Sequence, residues 1–257
     1  MMTASRCFTF RPRTKDESSS HLPSYSVAPA RSKAPRLSPQ GLCGSLKEAF
    51  TRLFGTKPWL EGLNLDEIDL SMEFRPANAY VISCGTVTLD LERGMVLLVW
   101  NKRLQIHQLP KGRRNIDEPM LVAALRETYE ETGIRVTPLQ LSIATRATLP
   151  AGEKSMGRPS PHDPDVTEGY PSTEFIGTCF LPDPQSQTEA LKSVFFFPAM
   201  ADSTTAPDSD TQEEHEKLFG TWMPISEAAT KLRFKGEVAA VMKTVEDVKK
   251  SGLVIGV

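Results

Sequence analysis

The sequence lacks several features that would assign it to a large protein class. Its four cysteines are scattered, with no CxxC pair, which predicts free thiols in a reducing compartment rather than a disulfide or zinc framework. No apolar run approaches the length of a membrane span, and the N-terminus has no hydrophobic secretory segment. A net charge of −2 argues against a general nucleic-acid-binding protein. We therefore expect a cytoplasmic location, with the nucleus as an alternative, and neither membrane nor nucleic acid as a partner.

The N-terminal residues have the composition of a disordered segment. Residues 1–41 are rich in serine and proline, and their low apolar content cannot offset the entropy of ordering them. Three arginines precede the first acidic residue, as in a mitochondrial presequence, but the prolines would break its amphipathic helix. We therefore expect a flexible tail. Residues 42–74 should form a linker with one short amphipathic helix, which Ser45 and Glu48 cap.

The segment from Leu109 to Ile134 is rich in charged residues with a regular spacing. Glu127, Glu130 and Glu131 stand at i, i+3 and i+4, so on a helix they share one side. Such a cluster is most readily kept when a cation faces it, and all-oxygen ligation suits Mg²⁺ or Mn²⁺. We expect the opposite side of the helix to be its apolar back, formed by Leu121, Val122, Leu125 and Tyr129.

The ends of this helix can also be predicted. Pro119 is tolerated at a first helical position, and Asp117 and Glu118 stand where an N-cap carboxylate belongs. Gly133 suits the left-handed residue after the last turn, so the helix should cover residues 119–132. Arg126 lies four residues before Glu130 and can hold a glutamate in a bidentate ion pair, which keeps the carboxylate ionised.

These residues resemble the signature of a known family, the Nudix hydrolases. Every glycine and charged position of the Nudix box is present, and the one departure is Thr128, where the family usually has an aliphatic residue. Thr128 faces the domain side of the helix, so the departure concerns local packing more than chemistry. The matching residues are Gly112, Glu118, Arg126, Glu127, Glu130, Glu131, Gly133 and Ile134.

The rest of the chain alternates strands and turns in a way that matches this family. We predict strands at 80–89, 95–100, 105–109, 142–149, 175–181, 193–198 and 220–224, and helices at 226–232, capped by Ser226, and 236–250. The resemblance implies an α/β fold, the Nudix α/β/α sandwich with a mixed sheet, over residues 75–252, followed by a tail at 253–257. Long insertions at 150–171 and 199–212 are expected to line or cover the site.

The resemblance implies divalent-metal-dependent hydrolysis of a phosphoanhydride. In the family pattern Glu127, Glu130 and Glu131 are metal ligands, with Glu127 the traditional candidate for the general base. Glu118 and the Gly112 carbonyl contribute to the metal site, and Arg126 orients the carboxylates. Some family members take the base from outside the box. Glu214 and Glu216 in the acidic run at 213–216 are candidates of this kind, with a solvated acidic loop as the alternative.

The substrate is less determined than the reaction. Lys111, Arg113 and Arg114 lie around the start of the box and are predicted to receive phosphates, with an ordinary basic surface loop as the alternative. The C-terminal third resembles asymmetrical diadenosine tetraphosphate hydrolases, and the basic loop also resembles enzymes that act on diphosphoinositol phosphates. We expect a small-molecule phosphoanhydride, first a dinucleoside polyphosphate. A catalytically silent binding module is the alternative from another class, and the oligomeric state stays open.

Overall fold

The chain divides into two compact units, residues 1–71 and 72–257. The structure, a computed structural model, describes residues 64–153, 157–184, 186–187, 190–209, 211 and 217–256. In the first unit the described part contains helix α1, Leu65–Ser71. The predicted tail at 1–41 and the helix capped by Ser45 lie outside the described residues. Among the helices that are described, none combines the length and the apolar character needed to span a membrane.

The second unit contains the helices and strands that surround the candidate site. It begins with a 3₁₀ turn at Ala77–Ala79 and ends with a long helix near the C-terminus. Its strands are β1 Tyr80–Asp90, β2 Met95–Asn101, β3 Ile106–Gln108, β4 Lys111–Arg113, β5 Thr137–Pro138, β6 Arg158–Pro159, β7 Thr167–Glu168, β8 Gly177–Pro182, β9 Leu191–Met200 and β10 Leu218–Pro224. Its helices are α2 Met120–Thr132, α3 Ile225–Lys231 and α4 Lys235–Lys250.

A mixed sheet forms the centre of this unit. Its strand order is β10-β2-β1-β9-β5, with β3 added to β2, β4 to β1 and β8 to β9. Strands β1 and β9 pair in parallel from Tyr80 opposite Leu191 to Leu89 opposite Met200, and their other partners run antiparallel. Strand β1 lies in the middle of the sheet, and its residues 83–90 are all buried, with apolar Val87 and Leu89 among polar Thr86 and Thr88. The predicted mixed α/β sheet is confirmed.

The two faces of the sheet carry different helices. Residues directly opposite one another on neighbouring strands share a face. Cys84 packs with Ala123, Ala124 and Phe197 on the face covered by α2. On the other face, β1 and β9 residues such as Val87 and Phe196 form one apolar cluster with Val241 and Val248 of α4. The result is an α/β/α sandwich.

Outside helix α2, two sequence predictions for this unit were wrong. Residues 142–149 do not form a sheet strand, because Thr145 bridges only to Thr167 of the β6–β7 hairpin inside the 150–171 insertion. Ser226 does not cap α3, since the N-cap is Pro224 and no side-chain cap hydrogen bond is formed there. At the start of α3 the Ile225 N–H donates instead to the Gly94 carbonyl at 2.9 Å.

Candidate active site

Helix α2 ends as the sequence predicts but begins differently. Gly133 caps its C-terminus in the left-handed conformation, with φ of 71°, and donates its N–H to the Tyr129 carbonyl. At the other end Pro119 is the N-cap rather than the first helical residue, and no side chain caps the helix. The predicted capping role of Asp117 and Glu118 was therefore wrong. Glu118 instead accepts hydrogen bonds from the Asn115 N–H and from Arg126.

The buried side of α2 also differs from the predicted apolar back. Val122 is 51% exposed, and Leu121 is only partly buried. The helix lies close against β1, and this close approach favours small side chains over long apolar ones. The buried residues of the helix are Ala123, Ala124, Thr128, Glu131 and Thr132.

Thr128, the departure from the family pattern, belongs to a buried network of hydroxyl groups. Its Oγ1 lies 2.8 Å from Thr86 Oγ1 on β1 and donates to the Ala124 carbonyl at 2.8 Å. Thr86 Oγ1 is in turn 2.7 Å from Thr88 Oγ1. Because each hydroxyl has a partner, the polar contact replaces apolar packing between helix and sheet without an orphaned group. Thr128 faces the domain side, as expected.

Arg126 holds three carboxylates at once. Its Nε and Nη2 donate to the two oxygens of Glu118 at 2.8 and 2.9 Å, which is a bidentate pair. Its Nη1 donates to Glu127 at 2.8 Å and to Glu130 at 2.7 Å. The Nη2 atom also reaches the Arg113 carbonyl at 3.1 Å. We call these four residues, Arg126, Glu118, Glu127 and Glu130, the Arg126 cluster.

The charges of the Arg126 cluster do not balance, since one guanidinium faces three carboxylates. The hydrogen bonds from Arg126 are the main cause that lowers the pKa of Glu118. Glu127 is shielded, with a side chain 13% exposed, whereas that of Glu130 is 41% exposed, so the cluster opens to solvent at Glu130. Beneath it, burial is the main cause that raises the pKa of the Cys84 thiol to about 11. The thiol therefore stays neutral.

Gly112 allows the strand before the helix to approach the carboxylates. A Cβ atom at this position would lie 1.8 Å from Glu127 Oε2, so every other residue would displace the Glu127 side chain. The neighbouring Lys111 N–H donates to Glu131 Oε2 at 2.9 Å. Strand β4 is thus fitted to α2 by a missing side chain and by hydrogen bonds of its backbone to the side chains of Glu131 and Arg126.

The oxygen atoms of the site are of the type that binds a divalent cation. In this structure three of the carboxylates are oriented toward the Arg126 guanidinium. Four glutamates offer oxygen ligands, the type preferred by Mg²⁺ and Mn²⁺. Within the residues that the structure describes, no group of three or more His, Cys, Asp or Glu side chains converges as a metal site does. The Arg126 guanidinium lies between three of the carboxylates, which explains this arrangement.

Each of the three predicted phosphate-binding cations has its own partner in the protein. Lys111 Nζ lies 3.0 Å from Glu237 Oε1 of α4, and Arg113 Nη2 lies 2.9 Å from Asp183 Oδ2. Arg114 donates to the Glu118 carbonyl at 2.8 Å. Two of the three charges are thus matched by a buried carboxylate. Neither Asp183 nor Glu237 was predicted from the sequence.

Lys192 on β9 is a further cation that the sequence prediction missed. On β1, Val81 is the partner of Lys192 and Ser83 is the partner of Arg113. Because Val81 and Ser83 are two residues apart on one strand, Lys192 and Arg113 lie on the same face of the sheet. Burial lowers the pKa of Lys192, and the charge of Asp183 opposes that effect. Among the described residues we find no hydrogen bond or ion pair to its ammonium group. The signal in the sequence was a lone charge inside the apolar run of β9.

The described residues of the long insertions make few contacts with the carboxylates of α2. In the second insertion the Asp208 N–H donates to the Gly133 carbonyl at 2.9 Å, and Asp208 Oδ2 accepts from the Tyr129 hydroxyl at 2.8 Å. This loop therefore lies against the C-terminal end of α2. Thr211 donates to the Glu130 carbonyl at 3.0 Å. The candidate bases Glu214 and Glu216 lie outside the described residues.

A helix with clustered carboxylates behind a glycine-containing basic strand, in an α/β/α sandwich, defines the class of phosphoanhydride hydrolases. The sequence model of the NUDIX domain matches residues 80–243 of this chain. The chain therefore belongs to the Nudix family, and it is a pyrophosphohydrolase of that family.

Solved structures similar to the chain carry names of hydrolases. An Ap4A hydrolase of C. elegans, solved as a binary complex, shows 17% identity and a TM-score of 0.42, covering 66% of this chain and 98% of its own. A NUDIX hydrolase from Nitrosomonas europaea shows 17% identity and a TM-score of 0.41, covering 68% and 93%. The E. coli dihydroneopterin triphosphate pyrophosphohydrolase shows 15% identity and a TM-score of 0.39, covering 65% and 97%. The search of curated proteins found no match.

Proposed function

We propose that the protein hydrolyses a phosphoanhydride bond of a dinucleoside polyphosphate, such as a bis(5′-nucleosyl) tetraphosphate, with Mg²⁺ or Mn²⁺ as the cofactor. The observation that carries the reaction is the excess negative charge of the Arg126 cluster. Carboxylates held this close by one guanidinium repel one another, and a divalent cation relieves that repulsion.

The proposed roles follow from the contacts of each side chain. Glu127, Glu130 and Glu131 hold the cation, with Glu118 and the Gly112 carbonyl as further contributors. Glu127 is proposed to orient the attacking water and to take its proton. Arg126 keeps the glutamates ionised and fixes their rotamers through its hydrogen bonds. The cation, when bound, neutralises phosphate oxygens that would otherwise repel the water.

Most of the basic side chains near the site are already in ion pairs with carboxylates. This supports a substrate that needs few phosphate contacts from side chains. Asp183 compensates Arg113 and Glu237 compensates Lys111. In the described part of the chain this leaves Arg114, which donates to a carbonyl, and Lys192 without an ion pair. A diphosphoinositol carries many phosphates around one ring and needs several uncompensated cations. A dinucleoside polyphosphate shares its charge with the metal, and an exposed aromatic such as Phe219 is available for stacking on a base.

A panel of substrates tests this proposal. Purified full-length protein with Mg²⁺ is incubated with diadenosine tetraphosphate, a diphosphoinositol polyphosphate and a nucleoside diphosphate sugar, and the products are separated by anion exchange. We expect fastest turnover of the dinucleotide. Faster turnover of the diphosphoinositol would reverse our ordering, and no turnover of any substrate would favour a silent binding module.

A double variant provides a second test of the choice between a dinucleotide and a diphosphoinositol substrate. Neutralising Arg113 and Arg114 together, as Arg113→Gln/Arg114→Gln, should change KM for the dinucleotide only mildly, because the metal carries part of the phosphate recognition. A steep rise of KM together with strong salt dependence would instead point to recognition of many phosphates by side chains.

A further inference from the structure

A buried carboxylate of the C-terminal helix is joined to the strand that precedes the catalytic helix. Glu237 lies in the first turn of α4, and its side chain is 5% exposed. One carboxylate oxygen accepts from the Leu109 N–H at 3.0 Å, and the other lies 3.0 Å from Lys111 Nζ. The Lys111 ammonium also donates to the Leu109 carbonyl at 3.1 Å. Together these contacts fix both ends of the Leu109–Lys111 segment.

The same segment touches the catalytic helix from its other side. The Lys111 N–H donates to Glu131 Oε2 at 2.9 Å, and the next residue is Gly112, which lies against Glu127. A displacement of this strand would therefore move the groups that hold Glu131 and Glu127. Pro110, between Leu109 and Lys111, has no N–H to donate, so the hydrogen bonds of its two neighbours carry the constraint.

We infer that Glu237 is a positioning residue for the hydrolytic site, and that Lys111 is its buried counter-ion rather than a phosphate ligand. This inference rests on the proposed function of the carboxylates on α2. Through Leu109 and Lys111, helix α4 sets where β4 lies against Glu131 and Glu127. Lys111 is only 18% exposed, and its charge is matched one to one by Glu237.

Hydrogen exchange tests the structural half of the inference without any substrate. The amide exchange rates of Leu109 and Lys111 are measured by NMR in the full chain and in Glu237→Gln. We expect the Leu109 amide to exchange about tenfold faster, because its charged acceptor is lost. The Lys111 amide donates to Glu131 and should exchange faster only as far as the strand is displaced. Glu246→Gln is the matched control, because Glu246 is an exposed glutamate of the same helix, paired only with Lys250. Unchanged exchange at Leu109 in Glu237→Gln would overturn the inference.

Kinetics on the best substrate of the panel tests the catalytic half. Glu237→Gln and Lys111→Met should each lower kcat about tenfold and change KM less than about twofold, as expected for groups that support ligands without touching substrate. The control Glu246→Gln should keep both constants. If Lys111→Met raised KM about tenfold with kcat retained, Lys111 would be a phosphate ligand and the inference would be wrong.

A paired variant keeps the test decisive if one single variant does not fold. Removing one partner leaves a buried charge alone, whereas Lys111→Met/Glu237→Gln removes both. The double variant should fold, with Leu109 exchange still faster than in the wild type and kcat no lower than in either single variant. Wild-type exchange at Leu109 in the double variant would overturn the inference. If no substrate is turned over, the proposed function fails, while the exchange data still decide the role of Glu237.

Discussion

Two groups of charged residues on either side of β4 differ in how their charges are matched. The Arg126 cluster gathers three carboxylates around one guanidinium and opens to solvent at Glu130. The Lys111–Glu237 pair is one to one and closed off by the sheet and α4. A balanced buried pair needs no further partner and orders the backbone. An unbalanced, partly exposed cluster has charge left for a ligand. The comparison separates structural from reactive carboxylates in one small region.

The largest expected effect comes from removing one charge of the unbalanced cluster. Glu127→Gln keeps the size of the side chain and should lower kcat by at least about a hundredfold, as for loss of a positioned base or metal ligand. The midpoint of thermal unfolding should stay the same or rise slightly, because repulsion inside the cluster is relieved. Steady-state kinetics and calorimetry check both parts. Glu246→Gln is the control, and near-wild-type turnover of Glu127→Gln would remove the basis for the assigned role.

Removal of the Arg126 guanidinium should destabilise the folded protein in a pH-dependent way. Arg126→Met leaves three carboxylates without their donor, so the free energy of unfolding should fall by about 3 kcal/mol at pH 7. Arg126 holds the pKa of Glu118 below its ordinary value of 4.5. Its contribution is therefore present above that value and is lost as the pH falls through the lower pKa of the folded protein.

Urea titrations at several pH values check this prediction. The difference between wild type and Arg126→Met should be constant from pH 7 to about pH 5 and should shrink below about pH 4. A difference that widened on acidification would contradict the assignment, because it would mean that Arg126 stabilises the protonated rather than the ionised carboxylates.

A smaller effect is expected from the hydroxyl network under the helix. Thr128→Val keeps the shape of the side chain but removes the hydroxyl that contacts Thr86 and the Ala124 carbonyl. The free energy of unfolding should fall by about 1 kcal/mol, the usual net value of one buried hydrogen bond. Chemical denaturation measures the loss, and kcat should stay near that of the wild type. A stabilised Thr128→Val would show that aliphatic packing suits this position better than the hydroxyl.

The smallest effect is expected where the insertion meets the end of α2. Asp208→Ala removes the acceptor of the Tyr129 hydroxyl, which lies at the protein surface. We expect a change in unfolding free energy below about 0.5 kcal/mol and no change in kcat. The hydrogen bond to Asp208 raises the pKa of Tyr129. In the variant, the Tyr129 hydroxyl should therefore ionise at lower pH, as followed by ultraviolet absorbance. A large loss of kcat would show that the loop acts on the site.

The sequence predicted those features that depend on local patterns. The existence of α2, its end at Gly133 and the strands β1, β2 and β10 follow from periodicity and from glycine placement. The buried side of α2 was not predictable in this way, because it depends on how closely β1 approaches. The contact between Leu109 and Glu237 joins residues 128 apart in the sequence, and no local pattern marks such a pair.

Binding of Mn²⁺ to the full-length protein tests the central claim most directly. In this experiment the free Mn²⁺ signal in electron paramagnetic resonance is followed as protein is added, for wild type, Glu127→Gln and the control Glu246→Gln. We expect saturable loss of the free signal with wild type, strongly weakened binding with Glu127→Gln, and wild-type binding with Glu246→Gln. Equal binding by wild type and Glu127→Gln, or no binding by either, would contradict the claim that the unbalanced carboxylates of the Arg126 cluster form the metal site.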